Sequence, residues 1–337
     1  MPLEETIRGR DLKRSKVIQT PITRLLKIHY PILQGAMAWI TGAEMAAAVC
    51  EAGGLGTIAA ATFSADALRK EIGRLRQKTT KPFAVNIPLR LASAAGAIEV
   101  VLDEKVPVIV CSADDPFPWV QRFKEAGRIV LQVVFNREMA KRADQAGADA
   151  LIAMGAEAGG NLCPDELSTM VLVPLIKDVT GLPVIAAGGI ADGRGLAAAF
   201  ALGADGVQMG TRLLVTREAT LHPFYKQAVL RAGDTDTTVI GRLSGLEFRV
   251  LRNKPALEVL ALEQSGEDKK KIDDLTITSL RWAVAYGDRE RGVFMMGQVA
   301  ALIQEEMSIA ELFAQITKEA EECIQKLGSL LGKGIRK

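Results

Sequence analysis

The sequence predicts an α/β protein, a TIM (β/α)₈ barrel with a smaller, mostly helical second domain. Short apolar runs alternate with helical patterns from residue 32 to about residue 230. Eight such runs occur, and the alternation gives way to longer helical segments after residue 235. A chain of 337 residues that is 48% hydrophobic is long enough, and apolar enough, for one barrel with an appendage.

Each predicted strand is almost entirely apolar, which is typical of parallel strands covered by helices on both faces. The strands fall at 32–37, 55–59, 83–87, 106–111, 129–134, 150–154, 183–187 and 206–209. Helical patterns such as 64–78 and 136–146 lie between them. Four helices are predicted to end at a glycine that can take the left-handed conformation: Gly127, Gly147, Gly181 and Gly203.

Eight βα units in succession favour a closed barrel over an open doubly wound sheet. The stretch from Gly54 to Ala59 matches the dinucleotide pattern G-x-G-x-x-A. Its glycines precede a predicted strand, whereas the fingerprint needs them to follow one, so the match is a weak indication of dinucleotide binding.

The C-terminal third has a different pattern. Residues 263–274 are charged and polar and are predicted to form an exposed linker or loop. Ser308 and Glu311 form a capping box before an amphipathic helix that extends to about residue 327. We expect residues 1–20 to be an N-terminal extension, 21–234 the barrel, and 235–337 a helical second domain covering the barrel mouth. The alternative for residues 235–337 is a helical oligomerisation arm, and a homodimer is a candidate assembly.

Composition excludes several classes of protein. Lys and Arg number 42 against 40 Asp and Glu, so no field of one sign is available for nucleic acid or an anionic membrane. No apolar run approaches 18 residues. The four cysteines lie far apart and the two histidines are isolated, so no metal site and no disulfide framework are expected. Without a secretory signal, a reducing cytoplasmic location is the expectation.

In a TIM barrel the active site lies at the carboxyl ends of the strands. Gly188 and Gly189 follow the seventh predicted strand, and Gly210 and Thr211 follow the eighth. Both loops offer backbone N–H groups and were expected to lead directly into helix N-termini, which carry partial positive charge. This pair of loops is the usual phosphate site of the fold, so it predicts a phosphate monoester such as that of FMN.

The side chains around these loops suit a flat, uncharged heterocycle. Met37 is apolar, and the amides of Asn86, Gln132, Gln208 and Gln298 can match both donors and acceptors on a flavin edge. No cluster of basic residues is evident near these positions in the sequence. A polyanionic substrate at the mouth is therefore not expected.

Several stretches together resemble the nitronate monooxygenase family, formerly called 2-nitropropane dioxygenase. They are YPILQGAMAW, KPFAVNIPL, GADALIAMGAEAGG, LPVIAAGGIADGRGLAAAFALGADGVQMGTRLL, HPFYKQAVL, DTDTT and MMGQVAALI. The resemblance covers roughly residues 20–310 and implies an FMN-binding barrel with a helical second domain. The family also includes FMN-dependent enoyl-acyl-carrier-protein reductases and NAD(P)H:quinone reductases. The DTDTT segment and the chain length are more similar to the enoyl reductase branch.

The resemblance also implies which residues contact FMN. They are Gly35, Ala36, Met37, Asn86, Glu157, Gly159, Gly160, Gly188, Gly189, Gln208, Gly210 and Thr211. Gln132, within the fifth predicted strand, is counted with the cofactor residues. Met296 and Gln298 are expected on the returning C-terminal helix, against the isoalloxazine.

One position departs from the family pattern. The family motif E-A-G-G-H ends in a histidine that is its catalytic acid/base, whereas here Asn161 follows Gly160. His29 precedes the first strand and His222 lies in a helical stretch, so neither is placed to substitute. Asparagine can donate a hydrogen bond to a carbonyl, nitro or nitronate oxygen but cannot accept a proton at neutral pH.

Three hypotheses follow for the small-molecule substrate. The first is oxidation of a nitronate-like anion by oxygen, which needs no base, so that Asn161 only binds a substrate oxygen. The second is NADH- or NADPH-dependent reduction of an enoyl thioester, carried on acyl carrier protein, or of a quinone. An enoyl substrate needs a proton from another group, and Cys163, Asp165 and Glu166 follow in the same loop. The third is a flavin-binding protein without catalysis.

Overall fold

The barrel is built from eight parallel strands with helices outside them. The structure, a computed structural model, describes residues 18–113, 117–243, 245–266 and 269–330. The barrel strands are β1 (Ile32–Gln34), β2 (Gly56–Ala59), β3 (Phe83–Pro88), β4 (Val108–Ser112), β5 (Ile129–Val134), β6 (Ala150–Met154), β8 (Val184–Ala187) and β9 (Gly206–Met209). Their order around the barrel is β1-β9-β8-β6-β5-β4-β3-β2. The predicted TIM barrel and its eight strands are confirmed.

β1 and β2, which close the barrel, are paired over fewer residues than the other neighbouring barrel strands. A parallel bridge pairs Leu33 with Leu55, and the Gln34 side chain extends the contact by accepting a hydrogen bond from Thr57 N at 2.9 Å. β1 ends at Gln34, earlier than predicted, and Gly35 N donates one further hydrogen bond to β9, to Met209 O at 2.8 Å. The chain from Gly35 onward is thereby free to form a loop at the mouth.

The remaining elements surround the barrel or lie at its mouth. The helices are α1 (Pro21–Leu26), α2 (Ala43–Glu51), α3 (Ala65–Lys78), α4 (Ala94–Asp103), α5 (Phe117–Glu125), α6 (Arg137–Ala146), α7 (Thr169–Lys177), α8 (Gly193–Ala201), α9 (Thr211–Leu214), α10 (Pro223–Arg231), α11 (Lys254–Ser265), α12 (Lys269–Tyr286) and α13 (Ile309–Ser329). Short 3₁₀ turns occur at Ala60–Thr62 and Gln298–Leu302. A separate antiparallel sheet has the order β10-β11-β7. Its strands are β7 (Gly160–Asn161), β10 (Thr237–Ile240) and β11 (Phe248–Leu251).

The barrel interior is a packed core. Inward residues such as Leu33, Val110 and Ile152 are completely buried or nearly so, and α1 adds Ile22 and Leu26 to the same cluster. Gly206 lets α1 approach, since a Cβ there would lie 3.3 Å from a methyl group of Ile22. The amino end of the barrel is therefore plugged, and only the carboxyl end can bind a ligand.

Three of the four glycines predicted to end a helix adopt the left-handed conformation. Gly127, Gly147 and Gly203 have φ of +71°, +91° and +97°. Gly181 has no positive φ, because α7 already ends at Lys177 and the chain turns before reaching the glycine. The capping box of Ser308 and Glu311 at the start of α13 is confirmed.

One expectation about the C-terminal third is corrected. Most of 263–274 is helical: α11 continues to Ser265 and α12 begins at Lys269, because charged residues can line exposed helix faces as readily as loops. α13 packs against α8 and α2 on the outside of the barrel. The division into 1–20, 21–234 and 235–337 stays a prediction, and residues 1–17 and 331–337 lie outside the described residues. Within the described ranges, no helix is both long and apolar enough to cross a membrane.

The contact between α8 and α13 depends on a glycine. A Cβ at Gly193 would overlap Glu319 and the backbone of Ala320, and Gly193 N donates to Glu319 Oε2 at 2.9 Å. We expect Gly193→Ala to lower the free energy of unfolding by about 1–3 kcal/mol through overpacking. Gly73→Ala in α3 is the matched control, because nothing lies within 4 Å of its added methyl group. It should raise stability by about 0.5–1 kcal/mol. Denaturant unfolding measures both, and equal effects would contradict the close packing.

Candidate active site

The two glycine loops lie side by side because β8 and β9 are paired, with Ala187 opposite Gln208. Gly188 and Gly189 have φ of +99° and +73°, a conformation that only glycine adopts readily. Within the described residues, the backbone N–H groups of Gly188, Gly189 and Gly210 donate no hydrogen bond. Adjacent unpaired N–H groups are the kind of donor set that can bind an anion, so the phosphate site stays a prediction.

The helix that follows Gly189 contributes less to this concavity than expected. α8 begins only at Gly193, and the Asp192 carboxylate already accepts from Arg194 N and Gly195 N, at 3.0 and 3.1 Å. The Glu319 carboxylate accepts from Gly193 N as well. The N-terminus of α8 is therefore occupied by the protein's own carboxylates. The donors left for a phosphate are the loop N–H groups and the start of α9 at Thr211.

Space is available beside these donors. Only the Glu157 side chain, 3.4 Å away, would contact a Cβ at Gly189, and only Met37 Sδ, 3.9 Å away, would contact one at Gly210. The loop after β1 thus meets the loop after β9, with Gly35 bonded to Met209 and Met37 near Gly210. The structure brings the predicted residues Gly35, Ala36, Met37, Gly188, Gly189, Gly210 and Thr211 to one end of the barrel.

Glu157 holds the loop after β6. Its carboxylate accepts from Thr169 N and from Thr169 Oγ1, each at 2.9 Å. Its backbone oxygen accepts from Gln298 N at 3.0 Å. The carboxylate is thus committed to the N-terminus of α7, where the helix dipole favours negative charge.

The returning chain crosses this loop at Gly159. A Cβ on Gly159 would lie 2.5 Å from Gly297 N, and Thr211 Oγ1 accepts from the same N–H at 2.9 Å. Met296 is completely buried in an extended segment, and Gln298 is exposed at the start of a 3₁₀ turn. Met296 precedes this 3₁₀ turn, so the expectation that it lies on a helix is wrong, and Gln298 lies at the first residue of the turn.

The strand-end amides differ in how they are used. Asn86 Nδ2 donates to Val110 O at 3.2 Å and to Ser112 Oγ at 3.1 Å, so it joins β3 to β4. Gln132 is almost fully buried and donates to Val133 O at 2.8 Å. Gln208 is half-buried at the end of β9.

Asn161 lies in a cavity of about 300 Å³ on the β3–β6 side of the mouth. β7 positions it, since Asn161 pairs with Phe248 of β11, and Gly160 before it has a φ of +77°. Asn161 Oδ1 is buried without a hydrogen-bond partner among the described residues. Gln132 lines the same cavity. A buried amide left unpaired is costly unless a ligand completes its hydrogen bonds.

Charged side chains gather around the Asn161 cavity, which corrects the expectation of no basic cluster. Arg90, after β3, and Arg142, on α6, both line it. They are 52 residues apart in sequence, and only the winding of the barrel brings them together. Arg249 lies nearby with Nε donating to Ala156 O at 2.9 Å, and burial lowers its pKa.

Sequence reasoning missed one acidic residue. Glu247, just before β11, is 5% exposed and lines the cavity with Asn161 and Cys163. Its backbone oxygen accepts from Leu162 N at 2.9 Å. No described residue donates a hydrogen bond to its carboxylate. No motif marks Glu247, and the signal is only its place before a strand that pairs with the Asn161 segment.

The other proton-transfer candidates are partly engaged. Asp165 accepts from Asn136 Nδ2 at 2.8 Å and from the Cys163 thiol at 3.6 Å. Glu166 is paired with Arg242. Burial raises the pKa of the Cys163 thiol, so the thiol stays protonated at neutral pH.

Both histidines are structural, as predicted. His29 packs its ring against Tyr30 at the plugged end, with ring centroids 4.5 Å apart. His222 caps α10, with Nδ1 accepting from Phe224 N at 3.1 Å.

Comparisons with known proteins agree with this geometry. The family model of nitronate monooxygenase matches residues 19–97 and 89–319. A (3aS,4S,5R,7aS)-5-hydroxy-7a-methyl-1-oxo-octahydro-1H-indene-4-carboxyl-CoA dehydrogenase of Mycobacterium tuberculosis is 34% identical, over 93% of this chain and 99% of its own. A probable nitronate monooxygenase of Staphylococcus saprophyticus is 32% identical, over 92% and 99%.

Solved structures show the same likeness. FabK from Thermotoga maritima superposes with a TM-score of 0.90 and 45% identity, covering 93% of this chain and 99% of that one. A nitroalkane oxidase from Streptomyces ansochromogenes gives a TM-score of 0.79 and 28% identity, covering 90% and 99%. With the family model matching nearly the whole described chain, this protein is an oxidoreductase that belongs to the nitronate monooxygenase family.

Proposed function

We propose that this chain is an FMN-dependent oxidoreductase that uses oxygen to oxidise small anions of the nitronate type in the Asn161 cavity. The observation that carries the proposal is the composition of that cavity. The Asn161 amide lies there with two arginines, and no histidine is among the described residues that line it. This combination suits an anion that arrives already deprotonated.

The loops at the mouth fit FMN. Unpaired N–H groups at Gly188, Gly189 and Gly210 suit a terminal phosphate. Because Gly189 and Gly210 have no Cβ, the space that a Cβ would occupy beside these groups is open. Met37 and the end of β9 would flank the ring. Bound FMN would supply the two-electron redox chemistry that this oxidation needs.

The side chains of the cavity then need only bind and orient. Arg90 and Arg142 give the entrance a positive potential that draws in an anion. Asn161 would donate a charge-assisted hydrogen bond from Nδ2 to a nitronate oxygen. Gln132 forms the floor beneath it. No proton has to leave the substrate, so the missing histidine is not required.

A second candidate is the reduction of an enoyl thioester with NADH or NADPH as reductant. It is favoured by the 45% identity to FabK, and by the CoA substrate in the name of the Mycobacterium tuberculosis relative. This reaction needs a proton at the α-carbon. Glu247 is our candidate donor, because this residue lines the cavity and no described residue donates a hydrogen bond to its carboxylate. In this case acyl carrier protein or CoA would present the substrate.

We also propose a cytoplasmic location. All four cysteines are free thiols, and burial raises the pKa of Cys50 to about 11 and that of Cys111 to about 12. Thiols with such pKa values stay protonated and unreactive in a reducing compartment. A homodimer remains a proposal for the assembly.

The phosphate assignment is tested at Gly189. Gly189→Asp places a negative side chain beside the phosphate at a φ of +73° and should abolish FMN binding. Gly181→Asp is the matched control, since nothing lies within 4 Å of a Cβ there, and it should keep its flavin. Flavin absorbance per purified chain is the measurement. Full flavin content in Gly189→Asp would refute the assignment.

The role of Asn161 is tested by two substitutions. Asn161→Ala removes one hydrogen bond and should cost about 1–3 kcal/mol in kcat/KM for a nitronate. Asn161→His should introduce a pH-dependent limb between about pH 5 and 8, and activity on neutral nitroalkanes, which require proton abstraction. The histidine must be neutral to act as base, so activity should rise with pH through that limb. A flavin-loaded Asn161→His protein without this gain would show that residue 161 does not face the substrate.

Glu247 separates the two candidate reactions. Glu247→Gln keeps shape but removes the proton donor, so enoyl-thioester reduction should fall about 10²–10⁴-fold. Nitronate oxidation should change little. Glu166→Gln is the control, because Glu166 is paired with Arg242. Rates with a crotonyl thioester and with propyl nitronate provide the measurements. Unchanged enoyl reduction in Glu247→Gln would exclude Glu247 as the proton donor.

A further inference from the structure

A second cavity lies at the mouth, away from the Asn161 cavity, and it is lined by aromatic rings. The chain has only three tryptophans and three tyrosines. Half of these residues, Trp39, Trp282 and Tyr286, line one groove of about 670 Å³ between α12 and residues 61–64. Trp39 and Tyr286 are 47% and 57% exposed, so their rings are available to a ligand and do not serve the core.

Trp39 is held in place by a strained backbone. Its φ of +66° is unfavourable for a bulky side chain. The turn around it is fixed by Ile40 N donating to Met37 O at 3.0 Å and by Met37 N donating to Thr41 Oγ1 at 3.0 Å. The loop that places Met37 in the cofactor site therefore also presents Trp39 to the groove, two residues later.

The groove carries a positive charge that no described carboxylate neutralises. The Arg281 guanidinium lies 5.5 Å from the centroid of the Trp39 ring. No carboxylate forms an ion pair with Arg281 in the described part of the chain. Arg291, 3.8 Å from the centroid of Trp282, is by contrast bound to Asp288 at 2.8 Å. Arg281 is thus the cation that remains for a phosphate.

We propose that this groove binds the adenosine 5′-diphosphate part shared by NADH, NADPH and CoA thioesters. The indole and phenol faces stack on the purine, and Arg281 binds the diphosphate. The walls are aromatic and polar, with Phe63 and Ala61 as the remaining apolar residues, so they suit a planar base better than an acyl chain. The inference rests on the nucleotide- or CoA-dependent candidate above, and Trp39 of the groove belongs to the same turn as Met37.

Direct binding is the first test. Isothermal titration of the flavin-loaded enzyme with ADP and with adenosine 3′,5′-diphosphate reports the groove without any turnover. Tyr286→Ala should weaken binding of the preferred probe about tenfold, through the loss of one stacking surface. Tyr286→Phe keeps the ring and should bind as the wild type does, as should Trp119→Phe, which lies outside the groove. Absence of binding by both probes, or equal binding by Tyr286→Ala, would overturn the proposal.

Kinetics then identify the source of the nucleotide. Tyr286→Ala and Trp282→Ala should raise KM about tenfold for NADH or NADPH but not for reduced nicotinamide mononucleotide, which lacks the adenosine half. For a CoA substrate, the same rise should appear with crotonyl-CoA and not with crotonyl N-acetylcysteamine. If the wild type turns over these substrates and the variants leave the KM values of both substrate pairs unchanged, the groove assignment is wrong while the proposed function stands. If the wild type turns over none of them but binds ADP through Tyr286, the nucleotide-dependent function fails and the groove remains.

Discussion

The crossing of two backbone segments at Gly159 and Gly297 fixes the active end of this protein. A Cβ on Gly159 would lie 2.5 Å from Gly297 N, so neither side chain nor water separates the two segments. Thr211 Oγ1 and Glu157 O accept hydrogen bonds from the returning chain on either side of the crossing. The loop after β6, the loop after β9 and the returning segment are thereby locked together. Gly160 and Asn161 follow directly, and their pairing with β11 sets where the Asn161 amide points.

The crossing also explains how the chain is arranged around the barrel. After β9 the chain leaves the barrel, builds the β10–β11 strands with α11 and α12, and returns through Met296 to close the ring with α13. Gly193 and Glu319 join α8 to α13 on the outside. The segment between β9 and α13 therefore starts and ends on the barrel, and its two ends are held by the same elements that hold the loops after β6 and β9. Movement of this segment relative to the barrel would have to break these contacts.

The charges at the mouth are divided between two kinds of site. Unpaired backbone N–H groups after β8 and β9 suit a phosphate without any lysine or arginine, because helix α8 is already capped by Asp192 and Glu319. The arginines are used elsewhere, with Arg90 and Arg142 at the Asn161 cavity and Arg281 at the aromatic groove. Glu247 is the carboxylate inside the cavity that these arginines border. Under the proposed function, this separation gives the cofactor, the substrate and the nucleotide different groups to bind.

The local sequence pattern determined much of the fold and of the candidate site by itself. Eight apolar runs with helical spacers specify a barrel, because strands buried on both faces must be apolar throughout, and the glycine loops specify an anion site at a known end. The departure at Asn161 was also readable, since it stands within a contiguous motif.

Tertiary structure alone decided what depends on distant segments. Arg90, Arg142 and Glu247 share a cavity only because the barrel winds and β11 pairs with β7. Likewise α13 packs beside α8 and α2, since an amphipathic face specifies that it will be covered but not by which neighbour.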